Sequence, residues 1–362
     1  MIRGKNIFVE NEVGRRDFLK LSTKVATVLG LSPVFIPKIS HAMQAKEKPA
    51  VIWLHFQECT GCTESLLRAE GPDLAQVILD VISLEYHETL FAAAGHQIED
   101  NLHKAMKRYK GKYVLVVEGA IPKKMDGAYC QIAGKTAIDM LNETAKDCAA
   151  IVAIGSCATW GGIPSSGPNP TGAVGVSDII KDKPIVNIPG CPPSPYNFLS
   201  TVVHYLLFNK IPTLDEEGRP MFAYGRLIHD QCERRGHFDS GRFANAYGDE
   251  GHRKGYCLYK LGCKGPSTFG NCPEIGFNRE KTWPVNVGHP CFGCIESKVG
   301  FNQSIHEISE VLSPNPPQTY ANIGEASEKP VGAIAAGVVG AAVGAVGAAV
   351  VTKAKSLPGE ED

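Results

Sequence analysis

Three near-continuous β-branched runs, each followed within a few residues by cysteine, constrain this chain more than any other feature. Residues 51–56 lead to Cys59 and Cys62, residues 150–154 to Cys157, and residues 184–188 to Cys191. Two further runs, 77–84 and 113–117, complete the pattern, and helical periodicity is expected from Glu64, over 130–146 and over 198–208. Near-continuous apolar strands that alternate with helices indicate a parallel sheet covered on both faces. The expected fold class is α/β, with a flavodoxin-like doubly wound parallel sheet over residues 48–212. In open sheets of this kind ligands bind outside the carboxyl ends of the strands. The topology therefore brings Cys59, Cys62, Cys157 and Cys191 from separate loops to one edge as a four-thiolate site.

Zinc accepts four thiolates, but structural zinc usually draws them from two nearby knuckles. A widely gathered set in a doubly wound domain suits a [4Fe–4S] cluster better. From residue 222 to 300 the texture changes to Gly, Pro, Asn and Cys, too thin in apolar residues for an independent core. Such a segment needs staples, which metal clusters supply. A loop-rich iron–sulfur domain is expected over 220–315. Its candidate ligands separate by spacing into His229, Cys232, Cys257 and Cys263, and a three-thiolate set of Cys272, Cys291 and Cys294. Three thiolates without a fourth suit a [3Fe–4S] cluster. A competing reading takes a fourth ligand from Cys130 or Cys148, but both fall on or beside the expected helix at 130–146 and read as small buried residues.

The chain has 362 residues, enough for about two domains. A net charge of −1 and the absence of a basic run exclude a nucleic-acid partner. Its ends read as addresses. Arg15 and Arg16 precede a modest apolar stretch and a small-residue cleavage site at Ser40-His41-Ala42, so residues 1–42 are expected to be a twin-arginine signal read by the twin-arginine translocase. An amphipathic N-terminal helix is the alternative. After a linker at 316–330, residues 331–351 carry no charge and could reach across a ~30 Å hydrocarbon core at ~1.5 Å per residue. A transmembrane helix is expected there, packed through its Gly and Ala face on a second helix, with a cytoplasmic tail at 352–362. The alternative is a low-complexity buried or disordered tail.

Six motifs, in order, resemble the small subunits of [NiFe] hydrogenases, of the respiratory membrane-bound uptake type. They are Glu58-Cys59-Thr60-Gly61-Cys62-Thr63-Glu64-Ser65, Gly155-Ser156-Cys157-Ala158-Thr159-Trp160-Gly161-Gly162, Pro189-Gly190-Cys191-Pro192-Pro193, His229-Asp230-Gln231-Cys232-Glu233-Arg234-Arg235, Gly262-Cys263-Lys264-Gly265-Pro266 and Gly288-His289-Pro290-Cys291-Phe292-Gly293-Cys294. The resemblance implies a proximal [4Fe–4S] cluster at Cys59, Cys62, Cys157 and Cys191, and a medial [3Fe–4S] cluster at Cys272, Cys291 and Cys294. It implies a distal [4Fe–4S] cluster at His229, Cys232, Cys257 and Cys263. Pro284 stands where relatives with a four-iron medial site carry cysteine. Gly61 and Gly162 stand where oxygen-tolerant relatives carry extra cysteines, which implies an oxygen-sensitive enzyme.

The implied activity is electron transfer in a hydrogenase. Its Ni–Fe centre belongs to a large subunit, since this chain lacks paired Cys-x2-Cys motifs of that kind. The other implied partners are a ferredoxin-like subunit and an integral membrane subunit, quinone-linked or cytochrome b. The implied location is the periplasmic face of the cytoplasmic membrane, held by the C-terminal helix. The alternative function is an iron–sulfur subunit of another respiratory oxidoreductase. Glu64 is expected at the subunit interface or as a helix-start carboxylate. Arg234, Arg235 and His237 form either a docking rim or solvated charge.

Overall fold

The computed structural model describes residues 15–43, 48–69, 81–277 and 281–320. Five strands form the main sheet: β1 Ala50–His55, β2 Ser83–His87, β3 Val114–Glu118, β4 Ala150–Ile154 and β5 Ile185–Ile188. All pair in parallel, in the order β2-β1-β3-β4-β5. This is the flavodoxin-like order, whose crossover connections put helices on both faces. Alternate residues of each strand feed opposite cores. Val51, Trp53, Val116, Val152 and Val186 point to one, and Ile52, Leu54, Leu115, Val117 and Ile151 to the other.

The principal helices are α1 Arg15–Val28, α2 Ile36–Met43, α3 Gly61–Leu67, α4 His96–Arg108, α5 Ala137–Ala145, α6 Gly155–Trp160 and α7 Pro195–Phe208. In α4, Ile98, Leu102 and Ala105 form the buried stripe, with Glu99 in the first turn and Lys107 and Arg108 in the last, matching the helix dipole. α7 starts with Pro195 in its first turn and stops at Asn209, which takes a left-handed conformation.

Three expectations shift. The strand expected at 77–84 begins at Ser83, and residues 77–80 lie outside those described. The helix expected over 130–146 is shorter at its start. Ala133 and Gly134, both at positive φ, turn a small hairpin between Gln131–Ile132 and Lys135–Thr136. Thr136 then caps α5, its hydroxyl accepting from the Asp139 N–H at 3.2 Å. The stretch expected to be only an export address also packs on the body. Val25 and Ile39 are fully buried, and the Phe35 and Phe208 rings lie 6.4 Å apart.

The expected C-terminal transmembrane helix is a correction. Residues 331–351 lie outside the described residues, and among those described no helix is long and apolar enough to cross a membrane. An uncharged run measures reach, whereas spanning also needs apolar strength, which Gly and Ala supply poorly. Beyond Tyr224 the described residues fold as loops and helices of at most five residues, packed against the sheet's carboxyl edge. Arg219 clamps the two regions, pairing with Asp215 (2.7 Å) and Glu296 (3.0 Å) while donating to the Ile295 carbonyl.

Candidate metal centres

The carboxyl ends of β1, β4 and β5 deliver Cys59 and Cys62, Cys157, and Cys191 to one place. Burial pushes the Cys62 thiol well up, and Glu118, Cys157, Cys191 and Cys59 push it further. Cys157 is pushed up to about 12 by burial and then by Cys191. Burial and then Cys59 raise Cys191. Thiols that burial and neighbouring charge hold protonated need a bound cation to exist as thiolates. Two glycines leave room for them. A Cβ on Gly155 (φ +84°) would collide with Cys62 Sγ, and one on Gly162 (φ +49°) would fall 2.9 Å from Cys157 Sγ. Cys59 and Cys191 are exposed, so this site opens on the surface.

Beneath it sits Glu118, the last residue of β3 and 1% exposed. One carboxylate oxygen accepts from the Cys62 N–H (2.9 Å). The other accepts from the Thr63 hydroxyl (2.6 Å) and the Trp53 indole N–H (3.2 Å). The Thr63 N–H bridges both. The carboxylate thus satisfies the orphan N–H groups at the start of α3 and holds the Cys59–Cys62 turn. His55, beside it, reaches Glu58 at 3.3 Å through Nδ1. Glu118 was not among the residues expected from sequence. Its signal was a lone acid closing an otherwise apolar run, at the strand end where ligands bind.

His229, Cys232, Cys257 and Cys263 line one small cavity with Arg234, Arg235 and Trp283. His229 is held down to about 4, first by burial and then by the Arg235 charge, so it is neutral. Its Nε2 is buried with no partner among the described residues, and a neutral imidazole can offer that nitrogen to a metal. Burial raises Cys232 strongly and takes Cys257 to about 12. Cys272, Cys291 and Cys294 form the third group. Burial is the main cause of their upward shifts, and mutual repulsion adds to it: Cys291 is pushed up by Cys263, Cys272 and Cys294, and Cys272 by Cys294. The groups abut in a row. The Cys294 sulfur feels Cys191 on one side, and Cys263 Sγ accepts the Cys291 N–H at 3.3 Å on the other.

Cys130 and Cys148 stand apart. Burial takes each to about 11, and none of the groups that perturb them is another cysteine. Cys130 lies in the turn before the small hairpin rather than on a helix. Glu64 is half exposed and pairs with Arg68 at 2.7 Å, an arrangement worth little to stability. Arg235 is no rim residue. It is 1% exposed, pairs with Asp230 and Asp239, and donates to the Ser313 and Asn315 carbonyls.

Residues 59–205 match the family of the NADH ubiquinone oxidoreductase 20 kDa subunit, and residues 224–307 match the C-terminal family of NiFe/NiFeSe hydrogenase small subunits. The chain is 48% identical over 356 residues to the hydrogenase-2 small chain of Escherichia coli K12, covering 98% of this chain and 96% of that one. It belongs to the [NiFe] hydrogenase small subunits. A second relative of this family, the quinone-reactive Ni/Fe-hydrogenase small chain of Wolinella succinogenes, is 49% identical over 79% of this chain and 81% of its own length. Among solved structures, a reduced, active Ni-Fe-Se hydrogenase from Desulfomicrobium baculatum superposes with a TM-score of 0.68 at 35% identity. That match covers 73% of this chain and all of the other. Hydrogenase small subunits carry iron–sulfur clusters and transfer electrons; the catalytic site lies on the large subunit with which they pair. The donors fit such clusters: gathered thiols that burial holds protonated until a metal binds, glycine cradles and a neutral histidine with an unpartnered ring nitrogen.

Proposed function

We propose that this chain relays electrons from hydrogen oxidation at the large subunit's Ni–Fe site to a membrane, quinone-linked acceptor. The proximal [4Fe–4S] cluster would be held by Cys59, Cys62, Cys157 and Cys191, and the medial [3Fe–4S] cluster by Cys272, Cys291 and Cys294. His229, Cys232, Cys257 and Cys263 would hold the distal [4Fe–4S] cluster. What supports the reading most is the abutting row of three donor groups, beginning at an exposed edge. Bound clusters supply one-electron redox capacity.

The chain's own residues prepare the sites. Glu118 orients the turn that bears Cys59 and Cys62. Burial excludes water from the inner groups, and peptide N–H groups donate to their sulfurs, as Arg234 does to Cys232 Sγ at 3.4 Å. Such bonds tune a cluster's potential.

The same reading puts the enzyme on the periplasmic face of the cytoplasmic membrane, exported folded by the twin-arginine translocase through Arg15 and Arg16. Its further partners are a ferredoxin-like subunit and an integral membrane subunit, quinone-linked or cytochrome b. The quinone-reactive Wolinella relative supports that acceptor class. With glycine rather than cysteine at positions 61 and 162, the proximal site would be an ordinary four-cysteine one. Hydrogen oxidation by the purified complex should therefore stop in air; sustained turnover there would refute this.

Metal and sulfide analysis of the complex tests the central reading. Two four-iron clusters and one three-iron cluster make about eleven irons and about twelve sulfides in each copy of this chain. The oxidised protein should give a [3Fe–4S] EPR signal. Zinc without sulfide would overturn the whole assignment, and absence of the three-iron signal would overturn the medial one.

A further inference from the structure

Cys191 and Cys294 belong to different donor groups, yet one side chain ties their backbones together. Ser156 is 1% exposed. Its Oγ accepts the Gly190 N–H at 3.0 Å and donates to the Cys294 carbonyl, while its own N–H donates to the Gly190 carbonyl at 2.9 Å. Gly190 directly precedes Cys191, and Ser156 directly precedes Cys157. A single residue therefore fixes three ligand-bearing segments: two of the strand-end site and one of the three-cysteine site.

The bonding is unusual for a helical serine. In the same short helix, Thr159 Oγ1 makes the ordinary local bond back to the Gly155 carbonyl at 3.1 Å. Ser156 instead spends its acceptor and its donor on partners 34 and 138 residues away. Gly190 cannot drift to compensate. It holds φ +152°, and the place of a Cβ there is already filled by Pro193. Contact between the two groups is close enough for the Cys191 peptide N–H to act on the Cys294 sulfur.

We propose that Ser156 is a positioning residue that fixes the separation of the strand-end and three-cysteine sites and so sets how strongly the two couple. This rests on the reading that both sites hold iron–sulfur clusters. Ser156 itself exchanges neither proton nor electron. Its hydroxyl is a strut, and removing it leaves the Gly190 N–H and the Cys294 carbonyl without their shared partner.

The test uses the purified complex with Ser156→Ala. Iron content should match the unaltered complex. In the fully reduced complex, EPR should lose the broadening that the neighbouring reduced three-cysteine site imposes on the strand-end signal, and turnover should fall about tenfold, the low end of the ~10–100-fold typical for an outer-shell partner. Ser166→Ala is the control, because Ser166 Oγ also joins the two regions, donating to the Phe301 carbonyl at 2.9 Å, but touches no ligand segment. It should leave the broadening intact. If Ser156→Ala loses iron, Ser156→Thr, which keeps the hydroxyl, should restore both iron and broadening. Unchanged broadening in Ser156→Ala, an equal loss in Ser166→Ala, or failure of the threonine to rescue would overturn the proposal. An unaltered complex without iron would fail at the cluster reading itself, which metal analysis reports separately.

Discussion

The strand-end site and the loop-built sites solve the same problem, holding thiols together, with opposite fixed charge. At the sheet edge the buried partner is an anion, Glu118, fastened by two peptide N–H groups, a hydroxyl and an indole. Around the loop sites the most deeply buried charges are cations, one of them paired with two acids. Arg234 donates to the Tyr256 carbonyl at 2.9 Å, Arg235 bridges two aspartates, and Lys264, 1% exposed, donates to the Glu307 carbonyl. A rigid sheet can aim enough donors at one carboxylate to compensate its loss of water. Loops lack that convergence, and long cationic side chains reach between them to carbonyls instead. A nearby anion opposes an added electron and a nearby cation favours it. With clusters bound as proposed, the difference would grade the row toward accepting electrons at its loop end.

The largest effect that could break this contrast is metal removal. If the sheet is self-supporting and the loops are stapled, stripping iron should leave the first fold standing and release the second. Amide exchange in residues 224–307 should accelerate about a thousandfold, ~4 kcal/mol of local stability at ~1.4 kcal/mol per decade. Exchange in β1, β3 and β4 should change little. Equal loss in both regions, read by hydrogen exchange with mass spectrometry, would show one cooperative unit instead.

The legible parts of this contrast were those written in periodicity and spacing. Apolar runs marked the sheet, and cysteines just past their ends marked the first site, because strand direction alone decides where those loops meet. The other two donor groups were legible from spacing, since few residues besides metal ligands explain so many cysteines in so thin a core. Glu118, Ser156 and Arg235 were not, because each acts through partners far away in sequence. A single acid, serine or arginine looks the same whether exposed or buried until the fold supplies its partners. The start of α5 was missed for a local reason: one Ala-Gly turn outweighed helical composition.

A second test concerns acid. His87 lies beneath the strand-end site, held down to about 3 by burial and then by His55. Its Nδ1 accepts from the Thr89 and Leu90 N–H groups, so Nε2 carries the proton toward the Thr63 hydroxyl, which in turn donates to Glu118. The unfolded chain takes up a proton near pH ~6.5 that the folded chain refuses until about 3. Stability is therefore lost as pH falls through that window, by up to ~1.4 kcal/mol per pH unit. Thermal melts from pH 6 to 4 should show a shallower dependence in His87→Gln, which keeps a donor toward Thr63. An unchanged slope would place the acid sensitivity elsewhere.

Charge at the strand-end site is tested by Glu118→Gln. The amide keeps the shape but not the negative charge, and it offers one acceptor oxygen where the carboxylate offered two. The reduction potential of this site should rise by roughly 60 mV, one decade for a one-electron couple. Stability should drop by ~1 kcal/mol for the lost bond. An EPR-monitored redox titration reads the first and a melt the second. A potential that stays put would mean Glu118 only holds the turn, and the contrast of charges would lose its electrical meaning.

The smallest effect is expected from Lys264→Met, and its sign matters more than its size. Methionine fills the same buried channel without a charge, so packing is nearly conserved. Lys264 directly follows Cys263 in the chain and acts on both Cys263 and Cys291, so its loss should lower the potentials on either side of the Cys291 N–H···Sγ Cys263 bond. The Glu307 carbonyl and carboxylate already offset part of its charge. The shift should therefore be smaller than at Glu118, a few tens of mV against the ~60 mV decade. A downward shift here together with an upward shift in Glu118→Gln would show that fixed charge grades the row. Two shifts of the same sign would mean that solvent entry, common to both substitutions, outweighs the charges.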